Sequence, residues 1–146
     1  MNYSLEIYRI MLTSVKRGRS KVGNSKAKPL FLITLIDFVP FCKVNEIPFG
    51  DATFADFYKN NKEMFAKDCV TPLEVPFYHL QSESFYNLEW KDPSVTSIIK
   101  HTPSAKFLRE HLLYAKLDDD LWELLQDQSN REYLKNAIIN QYLKNK

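Results

Sequence analysis

Six basic residues stand between positions 16 and 28 with no acid among them: Lys16, Arg17, Arg19, Lys21, Lys26 and Lys28. Lysine ammonium groups attract a polyanion from a distance. An arginine guanidinium can hold a phosphate or a guanine edge through two hydrogen bonds. Pro29 follows and suits the first turn of a helix. The basic segment therefore leads into a helix start, where free N–H groups and the helix dipole favour a phosphate. A solvated loop without a partner has the same composition, and these residues alone leave both readings open. A second basic group, Lys100, His101, Lys106 and Arg109, surrounds Thr102-Pro103-Ser104. Taken alone, it reads as the polar face of a surface helix.

Residues suited to catalysis are sparse. His79, His101 and His111 have no second ligand at metal spacing, and Cys42 and Cys69 form no CxxC pair. No metal, cofactor or catalytic residue is expected. Cys42 closes an apolar run, where a buried structural thiol fits better than a nucleophile. The acids Asp118 to Asp120 fit a helix start better than a Mg²⁺ site. Gly18-Arg19-Ser20 lacks the rest of a phosphate-binding loop.

Composition sets the frame for these residues. The chain has 146 residues, 45% hydrophobic and 26% charged, which suits one globular domain with a core of its own. Residues 1–50 carry 8 Lys+Arg against 3 Asp+Glu, and residues 51–146 carry 12 against 15. The net charge of +2 thus hides a basic first third and a mildly acidic remainder. Two isolated cysteines suit a reducing compartment, and a cytoplasmic location is expected. Glu6 and Arg9 interrupt the apolar start and exclude a signal-peptide core. The run Leu30 to Val39 is too short for a membrane span, which needs about 20 apolar residues.

Hydrophobic spacing predicts the elements that must position the basic residues. Leu5, Tyr8, Leu12 and Val15 give one face of a helix over Ser4–Lys16. Residues 16–28 should form a mobile loop. A helix from Pro29 to about Val39, apolar on nearly all sides, should be central. Residues 43–49 read as extended. Asp51 should cap a helix running to about Lys67 that buries Phe54, Phe57, Tyr58 and Phe65. Residues 76–90 read as a β-hairpin turning at Ser82–Ser84, with Pro76, Tyr78, Leu80, Tyr86, Leu88 and Trp90 on one face. Residues 103–116 read as helical. A helix bearing Leu121, Trp122, Leu124 and Leu125 follows. The last helix should be capped by Ser129 with Glu132 in a capping box, and should bury Tyr133, Leu134, Ile138 and Tyr142. The expected fold class is α+β: a mainly helical single domain with a small antiparallel β-hairpin.

Several of these segments, in order, resemble the sulfur-binding domain of HNH-type, modification-dependent restriction endonucleases. The resemblance rests on Ala27-Lys28-Pro29-Leu30-Phe31-Leu32-Ile33-Thr34-Leu35-Ile36-Asp37, on Asn45-Glu46-Ile47 and on Pro76-Phe77-Tyr78-His79-Leu80. It continues through Phe85-Tyr86-Asn87-Leu88, Tyr114 to Asp118, Leu121 to Leu125, Arg131 to Leu134 and Tyr142-Leu143. Each motif is weak, and their order over nearly the whole chain is more specific. It departs at Ala27, which stands where the family carries a histidine.

The resemblance implies a non-catalytic module that binds double-stranded DNA bearing a backbone phosphorothioate. It also implies a linked nuclease domain outside these residues, and the ending LKNK looks like the edge of a linker. Carried over residue by residue, it puts Val75, Pro76, Tyr78 and His79 at the modification pocket and Lys28 at the cation beside it. Arg17 or Arg19 falls at a phosphate- or base-contacting position, with Lys21 and Lys26 in the same basic segment. Lys100 and His101 are looser assignments to the DNA-binding surface. From another class, a protein-interaction or oligomerisation domain would use exposed Phe77 and Phe85 instead of binding DNA.

Overall fold

The computed structural model of the chain describes residues 3–17, 19–20 and 23–144, and the side chains of residues 18–24 fall outside that description. The most apolar stretch of the sequence becomes the axis of the fold. Helix α2 (Ala27–Phe38) buries Leu30 through Ile36 without a break, so every side of it needs a neighbour. Helix α3 (Ala52–Phe65), the short α4 (Glu74–His79) and the final helix α7 (Gln128–Ile138) supply those neighbours, and α1 (Tyr3–Leu12) joins the core by packing on α7. Phe31 lies edge-on to Phe54, Phe77 and Tyr86 at centroid distances of 5.6, 5.5 and 5.8 Å. Each such pair adds about 0.5–1.5 kcal/mol beyond burial alone.

The polar atoms inside this core are matched. Thr34 returns its hydroxyl to the Leu30 carbonyl at 2.7 Å and accepts from Asn61 Nδ2 at 3.1 Å. Asn61 also donates to Asp37 (3.1 Å), which accepts from Lys135 Nζ at 2.8 Å. The chain α2–α3–α7 is thereby pinned by hydrogen bonds that an apolar sequence pattern does not reveal.

Two antiparallel strand pairs complete the fold. Strands β1 (Arg19–Ser20) and β2 (Gly23–Asn24) pair within the basic segment, where the sequence predicts only a loop. Strand β3 (Tyr86–Trp90) pairs with β4 (Leu112–Leu117), and the register shifts between Glu89 and Trp90. Ile47 exchanges two backbone hydrogen bonds with Ala115 (2.9 and 2.8 Å), and the Asn45 side chain bonds both the N–H and the C=O of Leu117. These contacts cover the open edge of β4 at Ile47 alone. The rest of residues 43–49 is mostly bends and turns, with the Glu46 N–H bonded back to the Val44 carbonyl at 2.8 Å, so the extended segment expected there shrinks to one bridge. The domain is mainly helical with a small antiparallel sheet, as the sequence predicts.

Several local expectations fail, the first being helix α1, which ends at Leu12 rather than at Lys16. The hairpin over residues 76–90 does not form, because its first half is helix α4 followed by a 3-10 turn, Leu80–Ser82. Pro76, Phe77 and Leu80 are buried at helical spacing, so this helix explains the apolar run as well as a strand does. Pro76 sits in the first turn, where its missing N–H costs nothing. The predicted helix over 103–116 is α5 (Ala105–His111) only, and β4 takes the remainder. Asp127, not Ser129, caps α7, accepting from the N–H groups of Ser129 (2.7 Å) and Asn130 (3.4 Å). Tyr133 points outward and donates to Glu6 at 2.6 Å. Asp51 does cap α3, accepting from Phe54 N at 3.0 Å. Asp118 precedes α6 (Asp119–Leu124), as expected for an acid at a helix start, although its carboxylate accepts from Tyr8 at 3.0 Å.

Candidate nucleic-acid interface

Three segments of the chain line an open hollow of about 580 Å³. The arm after α1 contributes Lys16 and Arg17, the start of α2 contributes Ala27 and Lys28, and α4 contributes Val75, Pro76 and His79. Ser82, in the turn after α4, completes one rim. Ala27 and Pro76 are buried, which gives the hollow an apolar wall next to its cations. This wall exists because α4 is a helix: positions 75, 76 and 79 then project from one short turn.

Lys28 is the cation most closely set against that wall. Its ammonium donates to Ser82 Oγ at 3.2 Å, and among the described residues no carboxylate lies within ion-pair distance. Burial pushes its pKa down, and the nearby Glu83 only partly offsets that. Glu83 is the acid at the rim, and its Oε2 accepts from the backbone N–H of Lys16 at 3.1 Å. Arg17 stacks over the Tyr142 ring at 4.6 Å, and the Tyr142 hydroxyl accepts from Val15 N at 3.0 Å. A cation–π contact of this kind contributes about 0.5–1 kcal/mol at an exposed site. Tyr142 belongs to a π-helical turn, Ile139–Leu143, so the far end of the chain anchors the root of the basic arm.

The helix start itself offers fewer donors than the sequence suggests. The N–H of Ala27 is taken by Ser25 Oγ at 3.2 Å, and Pro29 has none. The attraction for an anion therefore comes mainly from side chains. His79 is exposed on the rim, with Nε2 at 2.6 Å from Thr102 Oγ1. Burial first, and Lys28 second, pull its pKa below the usual histidine value.

The structure brings Arg17, Lys28, Val75, Pro76 and His79 to one hollow. Tyr78 is not on its surface; the ring stands edge-on to His79 (5.1 Å) and Trp90 (6.4 Å), behind the wall. Lys26 lines a different hollow and pairs with Asp68 at 3.9 Å. Lys100 and His101 are exposed outside the hollow, but the next residue, Thr102, touches His79. The Arg19 side chain and all of Lys21 lie outside the described residues. Sequence reading passed over Thr71, Ser82 and Tyr142 as site components. Nothing in the sequence points to Tyr142, which lies 125 positions from Arg17.

Other chemistry finds less support. Burial raises the Cys42 thiol to about 11, so it is held as the poorly nucleophilic neutral form at neutral pH. Among the described residues, no three His, Cys, Asp or Glu side chains gather as a metal ion would require. Nor is any helix there long and apolar enough to cross a membrane.

No protein-family model matches the sequence, and no curated protein matches it. Solved structures do. The sulfur-binding domain of ScoMcrA, complexed with phosphorothioated DNA, superposes with a TM-score of 0.69 at 17% identity, over 92% of this chain and 86% of that one. The sulfur-binding domain of SprMcrA, also in complex with phosphorothioated DNA, gives 0.61 at 15% identity, over 94% and 85%. The chain has the fold of a sulfur-binding domain. A longer ScoMcrA structure that joins this domain to an SRA domain gives 0.69 at 17% identity, and the present chain spans 42% of its length.

Proposed function

We propose that this chain is a DNA-binding module that recognises backbone phosphorothioate in duplex DNA and leaves bond cleavage to another domain. The observation that carries the reading is Lys28 beside the apolar wall of Ala27, Val75 and Pro76, with Lys16 and Arg17 on the same hollow. Sulfur is larger and softer than oxygen and is less well hydrated. An apolar wall therefore costs a phosphorothioate less desolvation than a phosphate, while the cations hold the negative charge that both share. The fold shared with domains complexed with phosphorothioated DNA supports the same assignment. A linked nuclease and a cytoplasmic setting complete the proposal. The alternative of a protein-interaction domain is not favoured: the two aromatic rings it looked to, Phe77 and Phe85, are 0% and 1% exposed.

The test is a competition between matched duplexes, one phosphorothioate and one unmodified, repeated over a range of salt. The modified duplex should win, and affinity should fall steeply with salt, with a log–log slope of about −0.9 per phosphate contact. Equal affinity for the two duplexes removes the sulfur selectivity, and a flat salt response removes the DNA reading.

A further inference from the structure

His79 occupies an unusual place for a titratable group: the rim of a cationic hollow, with a partner that suits both of its protonation states. Lys28 reaches the rim from α2, and Lys16 and Arg17 line the same hollow from the arm after α1. On its own helix, the neighbour is the uncharged Tyr78 ring, with Glu74 at the far end. The turn after α4 brings Ser82 and Glu83, and the Glu83 carboxylate is engaged by Lys16 N. The loop before α5 brings Thr102, preceded by Lys100 and His101. The surroundings are thus mostly positive. A hydroxyl both donates and accepts, so Thr102 Oγ1 keeps its contact with Nε2 whether or not that nitrogen carries a proton.

We infer that His79 is the proton-linked contact of this site: a backbone phosphate seated in the hollow makes its imidazole take up a proton, so that duplex binding strengthens as the pH falls. This rests on the DNA-binding reading above. In the free protein, burial and Lys28 favour the neutral ring. A bound anion reverses the local sign, and an opposite charge at contact raises a pKa by about 1–3 units. Coverage by DNA works the other way, but desolvation reaches a comparable size only for fully buried groups, and His79 stands at an open rim.

The direction follows from linkage. The bound-state pKa lies above the free-state one. The gain in affinity is therefore complete below the free-state pKa and is lost as the pH rises through the bound-state pKa. Lysine and arginine do not titrate in that window.

The experiment measures affinity of the full chain for a phosphorothioate duplex from about pH 5.5 to about pH 7.5 at fixed ionic strength. Calorimetry in two buffers of different ionisation heat counts the protons taken up. Affinity should fall about tenfold across this range, with net proton uptake on binding. His79→Gln should flatten the pH response and abolish the uptake. His111→Gln should leave both as they are, and His101→Gln should keep the pH slope whatever its affinity. A slope that survives in His79→Gln, or one that disappears in His101→Gln, overturns the assignment to His79. Failure of the unaltered chain to bind duplex at any pH overturns the DNA reading itself, and the inference with it.

Discussion

Lys26 and Lys28 stand two positions apart at the start of α2 and meet different fates. Lys26 turns toward Asp68, 3.9 Å away, in a hollow that Glu63 also lines. Lys28 turns toward the other hollow, where its one polar partner is the hydroxyl of Ser82 and its neighbours are Ala27, Val75 and Pro76. A lysine already facing its own carboxylate has little left to offer a phosphate. A lysine set against apolar side chains is incompletely solvated, and here Glu83 acts on it only from beyond ion-pair distance. An anion site is therefore made by an unanswered charge next to a dry wall rather than by the number of positive charges in a segment. The same contrast separates Lys28 from Lys135, whose ammonium is 2.8 Å from Asp37 and serves to tie α7 to α2.

The largest effect should come from breaking the favoured side of this comparison. Lys28→Ala should weaken duplex binding by about 10- to 100-fold, the scale of a lost hydrogen bond to a charged group. The slope of log affinity against log salt should fall by about 0.9. Lys26→Ala, measured by the same anisotropy titrations, should change affinity by about twofold or less, since its charge is already screened by its own pair. Equal losses in the two variants would end the distinction between the two lysines.

A substitution that makes Lys28 resemble Lys26 tests the cause directly. Ser82→Asp puts a carboxylate where Lys28 now has a hydroxyl at 3.2 Å. Binding should drop by about tenfold while the ammonium itself remains, because a local ion pair now competes with the phosphate. Unchanged binding would show that the lack of an acid at this point is irrelevant.

A smaller effect is expected at Tyr142. Tyr142→Leu removes the ring under Arg17 and the acceptor for Val15 N, and should weaken binding by about two- to fivefold, the scale of an exposed cation–π contact. Tyr142→Phe keeps the ring and should cost less. In a double-mutant cycle, Tyr142→Leu should add little to Arg17→Ala, because both remove the same positioned cation. Full additivity would show that the ring does not position Arg17.

How much of this was legible beforehand depended on the range of the forces involved. Helix α2 was legible because the eight residues Pro29–Ile36, apolar except for Thr34, can satisfy little except burial. The cap at Asp51 was legible because capping is settled within four residues. Residues 76–80 and 112–117 were not, because a short apolar run fits either a strand or a helix turn, and distant neighbours choose between them. For 112–117 the choice was made by Tyr86–Trp90 on one side and Ile47 on the other. For 74–79 the helix buries Phe77 among Phe31, Phe49, Phe54 and Tyr86, all from other elements.

By itself the sequence determined the material of the site: an acid-free basic segment, an apolar helix directly after it, and a Pro-Phe-Tyr-His stretch further on. Only the tertiary structure decided which cation stays unpaired, which residues form the wall, and that Tyr142 underlies Arg17. Composition is a property of neighbours along the chain. Pairing and desolvation are properties of neighbours in space, and here the deciding neighbours, Asp68, Ser82 and Tyr142, lie 42, 54 and 125 positions from the cations they act on.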